Sequence, residues 1–223
     1  MTEDRNIFIV GTGTDVGKTY IAGLILKEFI RSGINAAYFK AAMSGNVKDT
    51  NGNLIPGDAL HVKNVSGTTQ PLSEMCPYVY ERAYSPHLAA RIEGNPVDFD
   101  AVMAKFDALS AKYDRVIMEG SGGILCPIRL DGEKEIWPED FVRARDFGCI
   151  LVADAGLGTI NAVGLTVSYI KAKGMRLTGI IFNRFKPGNI LHEDNLRVCE
   201  YLTGLKVIAC VKDNDSHITG GIN

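Results

Sequence analysis

Between an apolar run, Ile7-Phe8-Ile9-Val10, and a helical pattern lies Gly11-Thr12-Gly13-Thr14-Asp15-Val16-Gly17-Lys18-Thr19, residues suited to gripping a polyphosphate. Glycines let backbone N–H groups turn toward phosphate oxygens, and the helix N-terminus behind them adds unpaired donors and the positive end of a dipole. Lys18 supplies a mobile cation for the outer phosphates, and the Thr19 hydroxyl is a ligand for Mg²⁺. A lysine beside a helix N-terminus opposes the macrodipole unless an anion sits there, which favours a nucleotide site over a plain glycine turn. Five residues separate Gly11 from Gly17 where the usual phosphate loop has four, so this loop is a variant, longer by one.

Three further groups have the chemistry to complete such a site. Tyr113-Asp114-Arg115-Val116-Ile117-Met118-Glu119 puts an acid at the end of a buried strand, and Gly120-Ser121-Gly122-Gly123 reads as a flexible turn after it. Mg²⁺ takes a few carboxylate or hydroxyl oxygens together with substrate phosphates, so Thr19, Glu119 and one more acid form a set; Asp58, in Pro56-Gly57-Asp58-Ala59, is the candidate third. Asp58 reads equally well as a helix N-cap. Lys40, in Tyr38-Phe39-Lys40-Ala41, leaves the carboxyl end of a second strand and is expected to point into the same crevice. His87, in Ser85-Pro86-His87, reads as part of a turn opening a short helix.

These groups need a scaffold that brings strand ends together. Apolar strand-like runs recur at 7–10, 36–39, 115–118, 149–153, 178–182 and 206–211, with helical patterns at 18–32, 98–112, 159–173 and 190–203. Several runs are nearly continuous in apolar residues, as expected of strands covered by helices on both faces. The pattern predicts an α/β fold, a doubly wound and mainly parallel sheet, with Gly33, Gly148, Gly174 and Gly204 closing helices before short connections. Segment 43–83, with Pro56, Pro71 and Pro77, reads as a long loop carrying one short helix, placed where ligands bind in such sheets. With 223 residues, 46% of them hydrophobic, the chain is expected to form one domain over 1–223, with poor order in the polar, glycine-containing tail 213–223.

Composition narrows the function classes. A net charge of −2 and a pI near 6.1 give no nucleic-acid surface and no electrostatically held membrane partner. The apolar stretches are too short to cross a bilayer and the first residues lack a signal-peptide pattern, so a cytosolic protein is expected. Five cysteines without a Cys-x-x-Cys pair read as reduced core thiols, and four scattered histidines have no metal-ligand spacing.

Taken together the motifs resemble the dethiobiotin synthetases. The family's long phosphate loop, Gly-Thr-x-Thr-x-Val-Gly-Lys-Thr, is matched at 11–19, its lysine segment at Lys40 to Gly45, and its Glu-Gly-x-Gly-Gly at Glu119 to Gly123. Its Ser-Pro-His recurs at 85–87, its Leu-Gly-x-Ile-Asn at Leu157 to Asn161, and its strand-end asparagine at Asn183. The resemblance implies a P-loop fold and a homodimer with sites near the subunit interface. It also implies ATP- and Mg²⁺-dependent closure of a ureido ring on 7,8-diaminopelargonic acid and CO₂ (bicarbonate). It further implies that Thr14, Asp15, Val16, Gly17, Lys18, Thr19, Tyr20, Glu119 and Asn183 bind nucleotide, and that Thr19, Asp58 and Glu119 hold Mg²⁺. By the same resemblance Thr14, Lys40, Ser44, Gly122 and Asn161 bind diamine or carbamate, with Asn161 reaching the partner subunit's substrate, and Lys18 and Lys40 are catalytic. The chain departs from the family at Ala41 and Ala162, where proline and histidine are common, and at Ala209-Cys210-Val211-Lys212, which lacks Gly-x-Ile-Pro. Two alternatives are a related P-loop amide-forming enzyme and a nucleotide-switched partitioning or maturation ATPase. The former usually carries a glutaminase domain that finds no room here. The latter commonly has a second lysine early in the loop, where this chain has Gly11, Thr12 and Gly13.

Overall fold

The computed structural model describes residues 6–218. The apolar runs become β1 (Asn6–Gly11), β2 (Ala36–Lys40), β3 (Arg115–Gly123), β4 (Gly148–Asp154), β5 (Leu177–Asn183) and β6 (Val207–Cys210). They form one parallel sheet in the order β6-β5-β4-β1-β3-β2. The helices are α1 (Lys18–Arg31), α2 (Gly57–Ser66), α3 (Leu72–Met75), α4 (Pro86–Glu93), α5 (Phe99–Lys112), α6 (Pro138–Ala144), α7 (Thr159–Ala172) and α8 (Ile190–Thr203).

Strand periodicity divides the core in two. Ile7, Ile9, Ile117, Ile150, Val152 and Ile181 join Ile21, Leu24 and Val62 of α1 and α2 on one face of the sheet. On the other face Phe8, Val10, Met118, Leu151 and Phe182 meet Phe106, Phe141, Val163 and Cys199 of α5, α6, α7 and α8. The doubly wound sheet read from the sequence is therefore the observed architecture. Strand β1 lies between β4 and β3, so the chain departs to opposite sides around its carboxyl end, the switch point where such sheets bind ligands.

Four local expectations change. Glu119 does not end its strand: β3 continues through Gly123 with a register shift against β1, from Ile9 opposite Glu119 to Gly11 opposite Gly123. The glycines thread a bulge rather than a turn, because a Cβ on Gly120 would press on the Phe8 ring at 3.1 Å, and Gly122 has φ +65. Segment 43–83 holds α2 and α3 together with two-residue ladders, Ala42–Met43 with Tyr78–Val79 and Val47–Lys48 with Leu54–Ile55, not one short helix in a long loop. Gly148 opens β4 instead of closing a helix. Helix α6 lacked a clear periodic signal, although Pro138 at its start and the Asp140 carboxylate accepting the Trp137 N–H at 2.7 Å are helix-start chemistry.

Two contacts show how segment 43–83 is seated on the rest of the fold. Helix α2 lies against α1 where Gly23 leaves room, since a Cβ there would meet Val65 at 3.0 Å. Gln70 borders the edge strand β2: its amide accepts the Tyr38 N–H at 2.9 Å and donates to the Tyr38 carbonyl at 2.9 Å, taking the place of a neighbouring strand. Of the tail, residues 213–218 are described: Asp215 accepts the Tyr20 hydroxyl, Ser216 accepts Lys27 Nζ at 3.0 Å, and Ile218 is buried. The expectation for 219–223 lies outside the described residues.

Because both Gln70 bonds are buried, Gln70→Ala strands two backbone groups of Tyr38. The expected loss is about 2 kcal/mol or more of unfolding free energy, read from the urea midpoint at constant m. An unchanged midpoint would show that water satisfies this edge.

Candidate active site

The phosphate loop closes over the carboxyl end of β1. Gly17 caps α1 with φ +94, and a Cβ at this position would lie 2.0 Å from the Asn183 side-chain nitrogen, so only glycine fits. Asn183, buried at the end of β5, donates to the Val16 carbonyl at 3.1 Å and thereby joins β5 to the loop. Asp15 adopts φ +60, and its carbonyl accepts Arg184 Nη2 at 2.9 Å while Arg184 Nη1 reaches Asp154 at 2.7 Å. Lys18 folds back across the loop, with Nζ donating to the Gly13 carbonyl at 2.7 Å.

Beside the loop, charges converge on one carboxylate. Glu119 is 1% exposed; its Oε1 accepts the Thr19 hydroxyl at 2.9 Å and Lys40 Nζ at 2.7 Å, and its Oε2 accepts the Tyr38 hydroxyl at 2.8 Å. Lys40 Nζ also donates to Asp58 at 2.6 Å. Parallel pairing creates the first contact, since Lys40 lies directly opposite Glu119 between β2 and β3. Asp58, on the first turn of α2, gives its carboxylate to Lys40 and makes no side-chain cap.

The two lysines experience opposite balances. Burial, with the like charge of Lys40, outweighs Glu119 and lowers the Lys18 pKa below that of a free lysine. Burial also acts to lower Lys40, but Glu119 and Asp58 overcome it and raise its pKa, so this ammonium is firmly charged. For Asp58, burial is outweighed by Lys40, and its carboxyl titrates below the ordinary range. Burial, reinforced by Glu119, pushes the Tyr38 phenol well above its usual value, leaving it a hydrogen-bond donor.

These groups border a cavity of about 960 Å³. Of the sequence-predicted residues, Thr14, Asp15, Gly17, Lys18, Thr19, Tyr20, Lys40, Ser44, Asp58, Glu119 and Gly122 line it. Val16 and Asn183 stand behind the loop wall. Asn161 does not join them: it is exposed in the first turn of α7. Ser44 Oγ donates to the Tyr84 carbonyl at 2.5 Å, tying the wall to the segment before Ser85 and Pro86, which also line the cavity; the His87 Nδ1 is buried without a hydrogen-bond partner. Sequence reasoning missed Arg184, His61 and Cys126 in the lining and Tyr38 behind it. Arg184 could have been found from its place next to Asn183; Tyr38 carries no local signal, because its partner is 81 residues away.

The donor set suits a hard divalent cation. Two carboxylates converge on the Lys40 ammonium, and the Thr19 hydroxyl meets one of them at Glu119 Oε1, so the place already accommodates positive charge. No group of three or more His, Cys, Asp or Glu side chains with metal-holding geometry occurs among the described residues. None of the described helices is long and apolar enough to cross a membrane.

Comparison with known proteins agrees with this geometry. Residues 5–218 match a family model described as an AAA domain. The chain is 44% identical over 209 residues to the ATP-dependent dethiobiotin synthetase of Brachyspira hyodysenteriae, covering 94% of this chain and 92% of that one. It is also 44% identical over 216 residues to that of Clostridium novyi, covering 96% and 90%. Among solved structures, a ParA-family ATPase from Chlorobium tepidum (TM-score 0.57, 15% identity, 95% of this chain and 86% of that one) has a similar fold. So has the MinC:MinD cell division complex of Aquifex aeolicus (0.57, 12%, 94% and 81%). At such identities the likeness concerns the fold alone, whereas the similarity to the synthetases runs over more than nine-tenths of the chain: the chain belongs to the family of ATP-dependent dethiobiotin synthetases.

Proposed function

We propose that the chain closes the ureido ring of dethiobiotin from 7,8-diaminopelargonic acid, CO₂ and ATP, releasing ADP and phosphate. The observation that carries this reading is Glu119 Oε1 receiving both the Thr19 hydroxyl and the Lys40 ammonium beside the phosphate loop. A second lysine beside the phosphate loop suits a reaction that gathers several negative charges at one site. Likeness to partitioning ATPases at 12–15% identity does not favour the switch reading against 44% to the synthetases.

In the proposed sequence one amine adds to CO₂ and loses a proton, giving a carbamate. A carbamate oxygen attacks the γ-phosphorus of ATP and ADP departs; the second amine then attacks the carbonyl carbon of the mixed anhydride, and phosphate leaves as the ring closes. Lys18 and the loop N–H groups meet charge on the transferring phosphoryl group. Its lowered pKa reflects an ammonium short of anionic company, which the phosphates supply. Lys40, firmly protonated, holds the carbamate oxygens near the γ-phosphate. Thr14, Ser44 and Gly122 border the diamine, and Asn183 together with Asp15, Val16, Gly17 and Tyr20 holds the nucleotide. Thr19, Asp58 and Glu119 would hold Mg²⁺, which supplies charge neutralisation to the phosphates when bound. We assign a homodimer working in the cytosol, with the exposed Asn161 serving the partner's substrate; Leu157, 92% exposed beside it, and Leu165, 65% exposed, give this end of α7 an apolar surface for contact.

Purified protein supplied with ATP, Mg²⁺, bicarbonate and 7,8-diaminopelargonic acid should yield dethiobiotin by mass spectrometry, with one phosphate released per product. Phosphate release that ignores the diamine would reject the proposal. Lys18→Ala should lower turnover about 10²-fold or more while the unfolding midpoint stays near that of the parent. Lys40→Met leaves the Asp58 and Glu119 carboxylates without their cation. Its melting temperature should fall in metal-free buffer, and saturating Mg²⁺ should recover more of that loss than it adds to the parent. Equal Mg²⁺ effects on both proteins would separate Lys40 from the cation's place.

A further inference from the structure

Tyr38 takes no part in the cavity wall, yet its hydroxyl reaches the centre of the site. The side chain is fully buried, two residues before Lys40, and its phenol donates to Glu119 Oε2 at 2.8 Å. The other oxygen, Oε1, takes Thr19 at 2.9 Å and Lys40 at 2.7 Å. One carboxylate thus faces two ways: Oε1 meets Thr19 and Lys40, which line the cavity, and Oε2 meets the phenol behind the wall. The phenol is held in register from behind, since Gln70 bonds both the N–H and the carbonyl of Tyr38 at 2.9 Å.

A carboxylate so held offers a cation a single oxygen. Mg²⁺ accepts single-oxygen carboxylates in a tight octahedron, whereas Ca²⁺ collects six to eight oxygens and readily takes both from one carboxylate. We infer that Tyr38 is a specificity-determining residue: by occupying Glu119 Oε2 it confines Glu119 to single-oxygen ligation and biases the site toward Mg²⁺ over Ca²⁺. The inference rests on the assignment of Thr19, Asp58 and Glu119 to a divalent cation bound with ATP. It goes beyond that assignment by giving a role to a residue that touches neither cation nor substrate. Tyr38→Phe removes only the hydroxyl and frees Oε2.

The test is the affinity of a fluorescent, non-hydrolysable ATP analogue for the full chain in Mg²⁺ and in Ca²⁺, with parent, Tyr38→Phe and Glu119→Gln proteins. The parent should bind tighter in Mg²⁺, and Tyr38→Phe should narrow the Mg²⁺-to-Ca²⁺ ratio by about threefold or more, chiefly through a gain in Ca²⁺. A purely structural role would weaken both affinities alike and leave the ratio unchanged, which overturns the inference. If Glu119→Gln binds the analogue as the parent does in both metals, the cation assignment itself fails, and the inference with it. Should Tyr38→Phe not fold, parent crystals grown with the analogue and Ca²⁺ decide the matter: one Glu119 oxygen at the cation supports the inference, two refute it.

Discussion

The site depends on a buried carboxylate being saturated by donors from two separate parts of the chain. Glu119 draws Thr19 from the first turn of α1 and both Lys40 and Tyr38 from the edge strand β2. An ionised group taken out of water persists only when its oxygens are fully met, so each contact is also a constraint on the fold. The parallel pairing of β2 with β3 and the seating of α1 satisfy that requirement, and α2 adds Asp58 as a second carboxylate on Lys40.

The charged groups of the site are partnered within the chain. Lys40 bridges the oxygens of Asp58 and Glu119, while Lys18 rests on a loop carbonyl. On the proposed function, ATP with a cation would exchange these internal partners for ligand groups at the same points, an exchange between side-chain ammonium and metal rather than between loop conformations.

Residues with chemistry repeated along the chain were legible in the sequence. Gly17-Lys18-Thr19 follows a strand and opens a helix, and Lys40 and Glu119 stand at the carboxyl halves of apolar runs, so type and position agree. The sheet was legible for the same reason, since both faces of its strands are apolar. Gln70 and Tyr38 were not legible, because their roles come from contacts 32 and 81 residues apart that no local pattern encodes. The glycine bulge was read as a turn because glycine marks both; only the close pass of Phe8 distinguishes them. The elements between 43 and 83 are too short for periodicity to declare them.

The contact between Gly17 and Asn183 also sets the room available for redesign. The missing Cβ at 17 is the space that the Asn183 amide fills, so the two positions share one volume. A smaller residue at 183 would empty that volume and take away the hydrogen bond to the Val16 carbonyl that joins β5 to the loop. A larger residue there would run into the backbone of Gly17, and nothing smaller than glycine exists to make way. The end of β5 and the phosphate loop therefore constrain each other in both directions.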